Sequence, residues 1–273
     1  RELSKLSLAI DISGLSLESP LMNAAGILGI TTDLLRRVYE SGAGAVVTKS
    51  IGLFPREGHK NPTFIELDGG ALNAMGLPNP GVDYFSRMMG EMDFPVVASF
   101  FGSSLEEFIK IAEILSSSGA AALELNASCP NVLKEMGMLA EDPQSLELVT
   151  SKVRGSTSLP LFVKLSPNVT DIVEVAKAAE RGGADAITAT NTLKAIAISH
   201  ELKRPILSNI TGGLSGSALK PVSLRCVWEI YDAVEIPVIG CGGISSWRDA
   251  VEYMLAGASV LEIGTAIMTE GFT

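Results

Sequence analysis

Short apolar runs punctuate the chain from end to end. Eight stand out: Pro20–Gly26 (PLMNAAG), Ala43–Ser50 (AGAVVTKS), Pro95–Gly102 (PVVASFFG), Ala121–Cys129 (AALELNASC), Pro160–Pro167 (PLFVKLSP), Ala186–Thr192 (AITATNT), Pro237–Gly243 (PVIGCGG) and Val260–Ile267 (VLEIGTAI). Each is nearly continuous in apolar residues, as a strand buried on both faces must be. Amphipathic stretches lie between them, at 32–40, 82–90, 105–117, 143–154, 171–181, 219–234 and 246–256, and read as helices.

The residues before the runs alternate in kind. Pro20, Pro95, Pro160 and Pro237 precede the odd ones, while Gly42-Ala43, Gly119-Ala120, Gly183-Ala184 and Gly257-Ala258 precede the even ones. Glycine ends the preceding helix in a left-handed cap, and proline fixes φ and stops it before an extended segment. Strand and helix in strict alternation imply a parallel sheet. Eight such units imply a single α/β domain over residues 1–273, a (β/α)8 TIM barrel. The alternative is an open doubly wound sheet, but its G-x-G-x-x-G fingerprint after the first strand is absent. Residues 5–19 (KLSLAIDISGLSLES) alternate around a Ser-Gly turn and predict an N-terminal β-hairpin closing the barrel bottom. Residues 51–80 and 193–218 are long insertions after strands two and six, of the length that usually carries function. Little follows the eighth run, so the last barrel helix is expected to be cut short.

Composition narrows the function. The chain has 273 residues, is 47% hydrophobic, and carries 31 acidic against 21 basic residues for a net charge of −10. That excludes disorder and argues against a broad nucleic-acid footprint, yet leaves room for a small anionic ligand held by a few local cations. Three cysteines, Cys129, Cys226 and Cys241, build no disulfide framework and form no C-x-x-C pair, so neither zinc nor an iron–sulfur cluster is expected in this chain. With only His59 and His200 present, acid–base chemistry falls to another residue type. No membrane span and no secretory leader are evident, and a reduced, cytoplasmic location is the expectation.

A barrel places its site at the C-terminal ends of the strands. Read in order, those ends offer Ala24-Ala25-Gly26, Lys49-Ser50, Ser99, Asn126 with Cys129, Lys164, Asn191-Thr192, Gly242-Gly243 and Gly264-Thr265. Glycines after strands seven and eight suit a phosphate bound by backbone N–H groups, with Gly213-Leu-Ser-Gly216 as a further anion-accepting turn. Lys49 and Lys164 each stand one residue past an apolar run, where an idle ammonium is costly. Asn73, Asn126, Asn131 and Asn191 offer donors and acceptors together, as recognition of a planar heterocycle requires. Cys129, before a proline in a loop, reads as a nucleophile or proton-transfer base; Cys226 reads as helix core and Cys241 as barrel interior.

Taken together, ELNASCPN, NAMGLPNPG, VKLSPN, TNTL, GGLSGSALKP, IGCGGI and LEIGTA, in that set and over essentially the whole chain, resemble the class 1 dihydroorotate dehydrogenases. Residues 191–221 are most similar to the B subclass. The resemblance implies an FMN-dependent flavoprotein that oxidises (S)-dihydroorotate to orotate in de novo pyrimidine biosynthesis. It implies Cys129 as the base for the C5 proton, with hydride passing from C6 to FMN. Lys49, Asn73, Ala74, Met75, Gly76, Leu77, Asn126, Asn131, Asn191 and Thr192 match the family's substrate set. Ala25, Lys49, Ser50, Ser99, Asn126, Lys164, Thr190, Gly216, Gly242, Gly243, Gly264 and Thr265 match its FMN contacts. A homodimer is implied, as is an electron-transfer subunit carrying FAD and an iron–sulfur cluster with NAD as final acceptor. The sequence departs from the family pattern at Ala25 (usually Ser), at Ser99 (often Asn) and in the stretch NVLKEMGMLAED after the cysteine. Two rival readings remain: an FMN enzyme acting on another dihydropyrimidine, and a non-redox phosphate-binding barrel.

Overall fold

The computed structural model describes residues 7–128, 139 and 141–271. The chain enters through an antiparallel hairpin, β1 (Ile10–Ile12) and β2 (Leu15–Leu17), turned at Ser13-Gly14, where both residues have positive φ. Then come β3 (Leu21–Asn23), α1 (Thr32–Glu40), β4 (Val46–Val47), β5 (Phe64–Leu67) and β6 (Gly70–Asn73). Helix α2 (Val82–Met89) leads into β7 (Val96–Phe100), α3 (Leu105–Ser116), β8 (Ala122–Asn126), α4 (Pro143–Arg154), β9 (Leu161–Leu165), α5 (Ile172–Arg181) and β10 (Ala186–Ala189). A second excursion holds β11 (Leu193–Ile196), β12 (Ile198–Ser199), β13 (Arg204–Pro205) and β14 (Thr211–Ser215). After a 3-10 turn at Ser217–Leu219 come α6 (Lys220–Tyr231), β15 (Val238–Cys241), α7 (Trp247–Leu255), β16 (Ala258–Ile263) and α8 (Thr265–Glu270).

Side-chain caps set where many helices begin. Thr31, Ser104, Asp142, Asp171 and Ser246 each accept a hydrogen bond from a first-turn N–H of α1, α3, α4, α5 and α7. Eight parallel strands hydrogen-bond in the order β3-β16-β15-β10-β9-β8-β7-β4. The seam between β3 and β4 has no regular ladder. It is closed by Gly44 N–H donating to Leu21 O at 2.9 Å and by the Asn23 side chain, which bonds both backbone groups of Val47. The result is the expected (β/α)8 barrel.

Inward positions repeat every second residue along each strand and fall into layers. At the bottom, Ile12, Leu15 and Leu17 of the hairpin plug the barrel against Met22, Val97, Phe162, Ile239 and Val260. Two residues further along the strands, the interior turns polar: Ser99, Glu124, Lys164, Thr188, Cys241 and Glu262. A second apolar layer, including Leu35, Phe85, Phe108, Leu146, Val175 and Val227, packs the helices onto the outside of the sheet.

Four expectations are corrected. The eighth strand was expected at 260–267 but spans Ala258–Ile263, because Gly264 interrupts it and 265–270 coil into α8. Gly213-Leu-Ser-Gly216 is no turn: residues 213–215 are strand, paired to β6 and β11, and only Gly216 turns, at φ 90°. Lys164 lies within β9, in the barrel interior and not one residue beyond the strand. The two insertions are not separate loops, since they form one antiparallel sheet of order β11-β14-β6-β5, with Gly213 opposite Asn73 and Leu193 opposite Leu214.

Candidate active site

A cavity of about 770 Å3 opens at the C-terminal ends of the barrel strands, and the four-stranded sheet forms one of its walls through Phe64, Gly70, Asn73 and Ser215. Seven of the eight barrel strands contribute residues near or just past their ends. Ala24, Ala25 and Gly26 follow β3; Lys49 and Ser50 follow β4; Asn126 ends β8; Lys164 rises from β9. Thr190, Asn191 and Thr192 follow β10, Cys241, Gly242 and Gly243 close β15, and Gly264 and Thr265 follow β16.

A chain of side-chain hydrogen bonds fixes the amide groups. Asn191 Nδ2 donates to Asn126 Oδ1 at 3.3 Å, and Asn126 Nδ2 donates to Ser50 Oγ at 3.2 Å. Ser50 Oγ in turn lies 3.1 Å from Ser99 Oγ. Ser128 N–H also donates to Asn126 Oδ1, so Asn126 is held at both ends of its amide. Ser99 is buried and does not line the cavity, which it meets only through Ser50. From the wall sheet, Asn73 Nδ2 donates to Gly213 O at 3.4 Å.

The segment after β6 leaves the extended conformation at Gly76 (φ 75°) and Leu77 (φ 56°). Of the NAMGL residues, Asn73, Met75 and Leu77 line the cavity, whereas Ala74 and Gly76 do not. Ala74 N–H donates to Thr63 O, and a Cβ on Gly76 would meet the His59 backbone N at 2.6 Å. His59 therefore props this segment from behind, with its ring Nδ1 at 3.1 Å from Ala74 O. His200 is exposed beside Glu201. Cys129 and Asn131 lie outside the described residues.

Glycines shape the wall at β15 and β16. Gly243, at φ 70°, packs so closely that a Cβ would lie 2.6 Å from Gly216 O and 2.8 Å from Lys220 N. Gly242 O accepts from the Tyr253 hydroxyl at 2.5 Å, and Thr190 Oγ1 lies 2.7 Å from Ser223 Oγ. Lys220 is committed to Asp249 (2.6 Å) and Glu252 (2.9 Å), and Asp249 also accepts from Ser245 N–H. This network fixes the turn that carries Gly243.

Electrostatically the two cavity lysines differ. Lys49 is 9% exposed; Nζ donates at 3.4 Å to Gly26 O, and among the described residues no carboxylate pairs with it. Burial pulls its ammonium below the ordinary 10.5. Lys164 forms an ion pair with Glu262. Burial opposes its charge, but neighbouring acidic groups outweigh that and hold the ammonium well above the ordinary range. Burial pushes the Cys241 thiol up to about 12, so Cys241 is neutral at physiological pH and the counter-charge of Lys164 comes from carboxylates. Glu124 and Glu262, the acidic groups of this floor, were not foreseen from the sequence. Each is a lone carboxylate inside an otherwise apolar strand, in ALELN and VLEIG, which is the signal that marks them.

A parallel barrel with a polar cavity at the C-terminal ends of its strands defines a (β/α)8 enzyme. The sequence model of the dihydroorotate dehydrogenase family matches residues 7–273, and the chain belongs to that family. It is 51% identical to the dihydroorotate dehydrogenase B (NAD(+)) catalytic subunit of Pyrococcus horikoshii, over 98% of this chain and 89% of that one. To the protein of the same description from Methanocaldococcus jannaschii it is 43% identical, over 97% and 89%. In fold it resembles the crystal structure of DHODH from Eimeria tenella in complex with ferulenol, with a TM-score of 0.79 at 23% identity, covering 98% of this chain and 81% of that one. The chain is an oxidoreductase of the dihydroorotate dehydrogenase type, most similar to class 1, subclass B, and acts in pyrimidine synthesis.

Proposed function

We propose that the cavity holds FMN together with (S)-dihydroorotate, and that Cys129 takes the C5 proton as the substrate is oxidised to orotate. The observation that carries this reading is the double character of the lining. One set of residues, Gly216, Gly242, Gly243, Gly264 and Thr265, exposes backbone as a phosphate requires. The other, Asn73, Asn126 and Asn191, presents fixed amides as a planar heterocycle of alternating N–H and C=O requires.

The residues fit the cofactor. The Gly216–Gly243 approach leaves no room for a side chain, and two lysines, Lys49 and Lys164, line the cavity. Ala25, Lys49, Ser50, Asn126, Lys164, Thr190 and the glycine wall would hold FMN, with Ser99 acting through Ser50. When bound, FMN supplies the acceptor for the hydride that leaves C6. Lys49, which has no carboxylate partner among the described residues, meets the carboxylate of the substrate. Asn73, Asn126, Asn191, Thr192, the 73–77 segment and Asn131 orient its ring. The amide chain from Asn191 to Ser99 keeps that orientation fixed, and the wall sheet of the two insertions excludes water.

The relatives' names include NAD(+) and the words catalytic subunit. Transferred to this chain, they imply a partner subunit through which electrons reach NAD(+); the family resemblance adds that this partner carries FAD and an iron–sulfur cluster and sits beside a homodimer of this chain.

The purified protein is expected to be yellow, and its flavin bands to bleach when dihydroorotate is added without oxygen. Dihydrouracil should leave them unchanged. A colourless protein that takes up no FMN would overturn the reading, and bleaching by dihydrouracil alone would point to another dihydropyrimidine.

A further inference from the structure

Beneath the cavity floor the barrel encloses one cation and two carboxyl groups. Glu124 is 0% exposed, Glu262 1% and Lys164 4%. Glu262 Oε2 takes the Lys164 ammonium, and Glu124 Oε2 accepts the Thr188 hydroxyl at 3.0 Å. The remaining oxygen of each carboxyl, Oε1, is buried with no hydrogen-bond partner among the described residues. Below them lie only the apolar layers plugged by the hairpin. Cys241, the other titratable group facing this cluster, adds no charge, being a neutral thiol.

We propose that Glu124 and Glu262 form a buried proton-binding site, sharing a single proton through their two Oε1 atoms. The count of charges requires it. Two ionised carboxylates against one ammonium would leave a surplus negative charge in a dry interior, with two oxygens unsatisfied. One proton removes both defects: one Oε1 becomes a donor, the other accepts, and the cluster becomes neutral. The two carboxyls act directly on each other, and burial, reinforced by the neighbouring Glu124, drives Glu262 toward its protonated form. The consequence for the cofactor rests on the FMN reading above. A neutral cluster leaves an anionic ligand unrepelled, whereas a surplus charge under the floor would oppose it.

Infrared spectroscopy of the purified protein at neutral pH tests the proton directly. The C=O stretch of a protonated carboxyl is expected, shifting in heavy water. In Glu262→Gln and in Glu124→Gln it should vanish, because the one carboxyl left is matched by Lys164. Absence of the band from the unmodified protein overturns the proposal, whether or not either variant folds. FMN titration gives a second, independent check. Since the cluster is neutral before and after either substitution, the dissociation constant should stay within about threefold. Removing one of two ionised carboxylates would instead tighten binding by about tenfold or more, and that result overturns the proposal. A protein that shows the band yet binds no FMN sinks the cofactor reading and leaves the shared proton standing.

Discussion

The side chain of Asn23 replaces a rung of backbone ladder: its Nδ2 donates to Val47 O at 2.8 Å and its Oδ1 accepts from Val47 N–H at 2.9 Å. Asn23 ends β3 and Val47 ends β4, so this amide, together with the Gly44 N–H to Leu21 O bond, closes the barrel where the two strands carry no regular pairing. Leucine has a similar size but can satisfy neither Val47 group. Asn23→Leu is expected to destabilise the fold by about 3 kcal/mol, since two buried backbone groups lose their partners. Urea denaturation measures this, and an unchanged midpoint would mean that water replaces the amide at no cost.

A methyl group at Gly243 would press on Gly216 O and Lys220 N, at a φ of 70° that side chains seldom adopt. Both neighbours are backbone and cannot swing aside. Gly243→Ala should therefore displace the turn between β15 and α7 and weaken FMN binding by about tenfold or more. Fluorescence titration of the flavin reads the affinity. A melting curve taken without added FMN separates lost binding from lost fold, and full affinity in the variant would remove Gly243 from the phosphate wall.

Much of the barrel is legible in the chain because its signals are local. Helix α4 spans 143–154 as the apolar spacing predicts, with Asp142 as cap, and the Pro and Gly-Ala punctuation falls before each barrel strand. The wall sheet is illegible for the opposite reason. Its strands β6 and β14 are short, glycine-bearing and far apart in sequence, and nothing in either segment encodes the other's register. At the site, Lys49, Asn126 and Asn191 could be placed from strand ends alone, because a barrel gathers those ends on one rim. Lys164 was placed too high, since a lysine inside an apolar run reads as the end of that run. Its depth is explained by Glu124 and Glu262, which make the interior polar enough to hold it.

Lys49 supplies a pH prediction. Desolvation lowers its pKa below 10.5, so in the free enzyme it loses its charge at a lower pH than an ordinary lysine. In the proposed site the charged form is the one that meets the substrate carboxylate. KM for dihydroorotate should therefore be lowest on the acid side and rise as pH climbs through the lowered pKa. Lys49→Met should raise KM about a hundredfold at neutral pH and flatten that rise. Initial-rate measurements across pH read both effects, and an unaltered alkaline limb in Lys49→Met would assign the titration to another group.

Cys129 lies outside the described residues, three positions beyond Asn126, whose amide is locked to Ser50 and Asn191. A neutral thiol cannot accept a proton, so the proposed role of Cys129 requires the thiolate, formed beforehand or as substrate binds. Serine keeps the shape of the side chain but is a far poorer base at neutral pH, and alanine removes the group. Both Cys129→Ser and Cys129→Ala should retain bound FMN and slow flavin reduction by dihydroorotate by about three orders of magnitude. Stopped-flow absorbance under anaerobic conditions follows the bleaching directly. The unmodified enzyme should reduce faster as pH rises and thiolate accumulates, while the alanine variant should show no such rise. Reduction at the unmodified rate in either variant would take the base role away from Cys129.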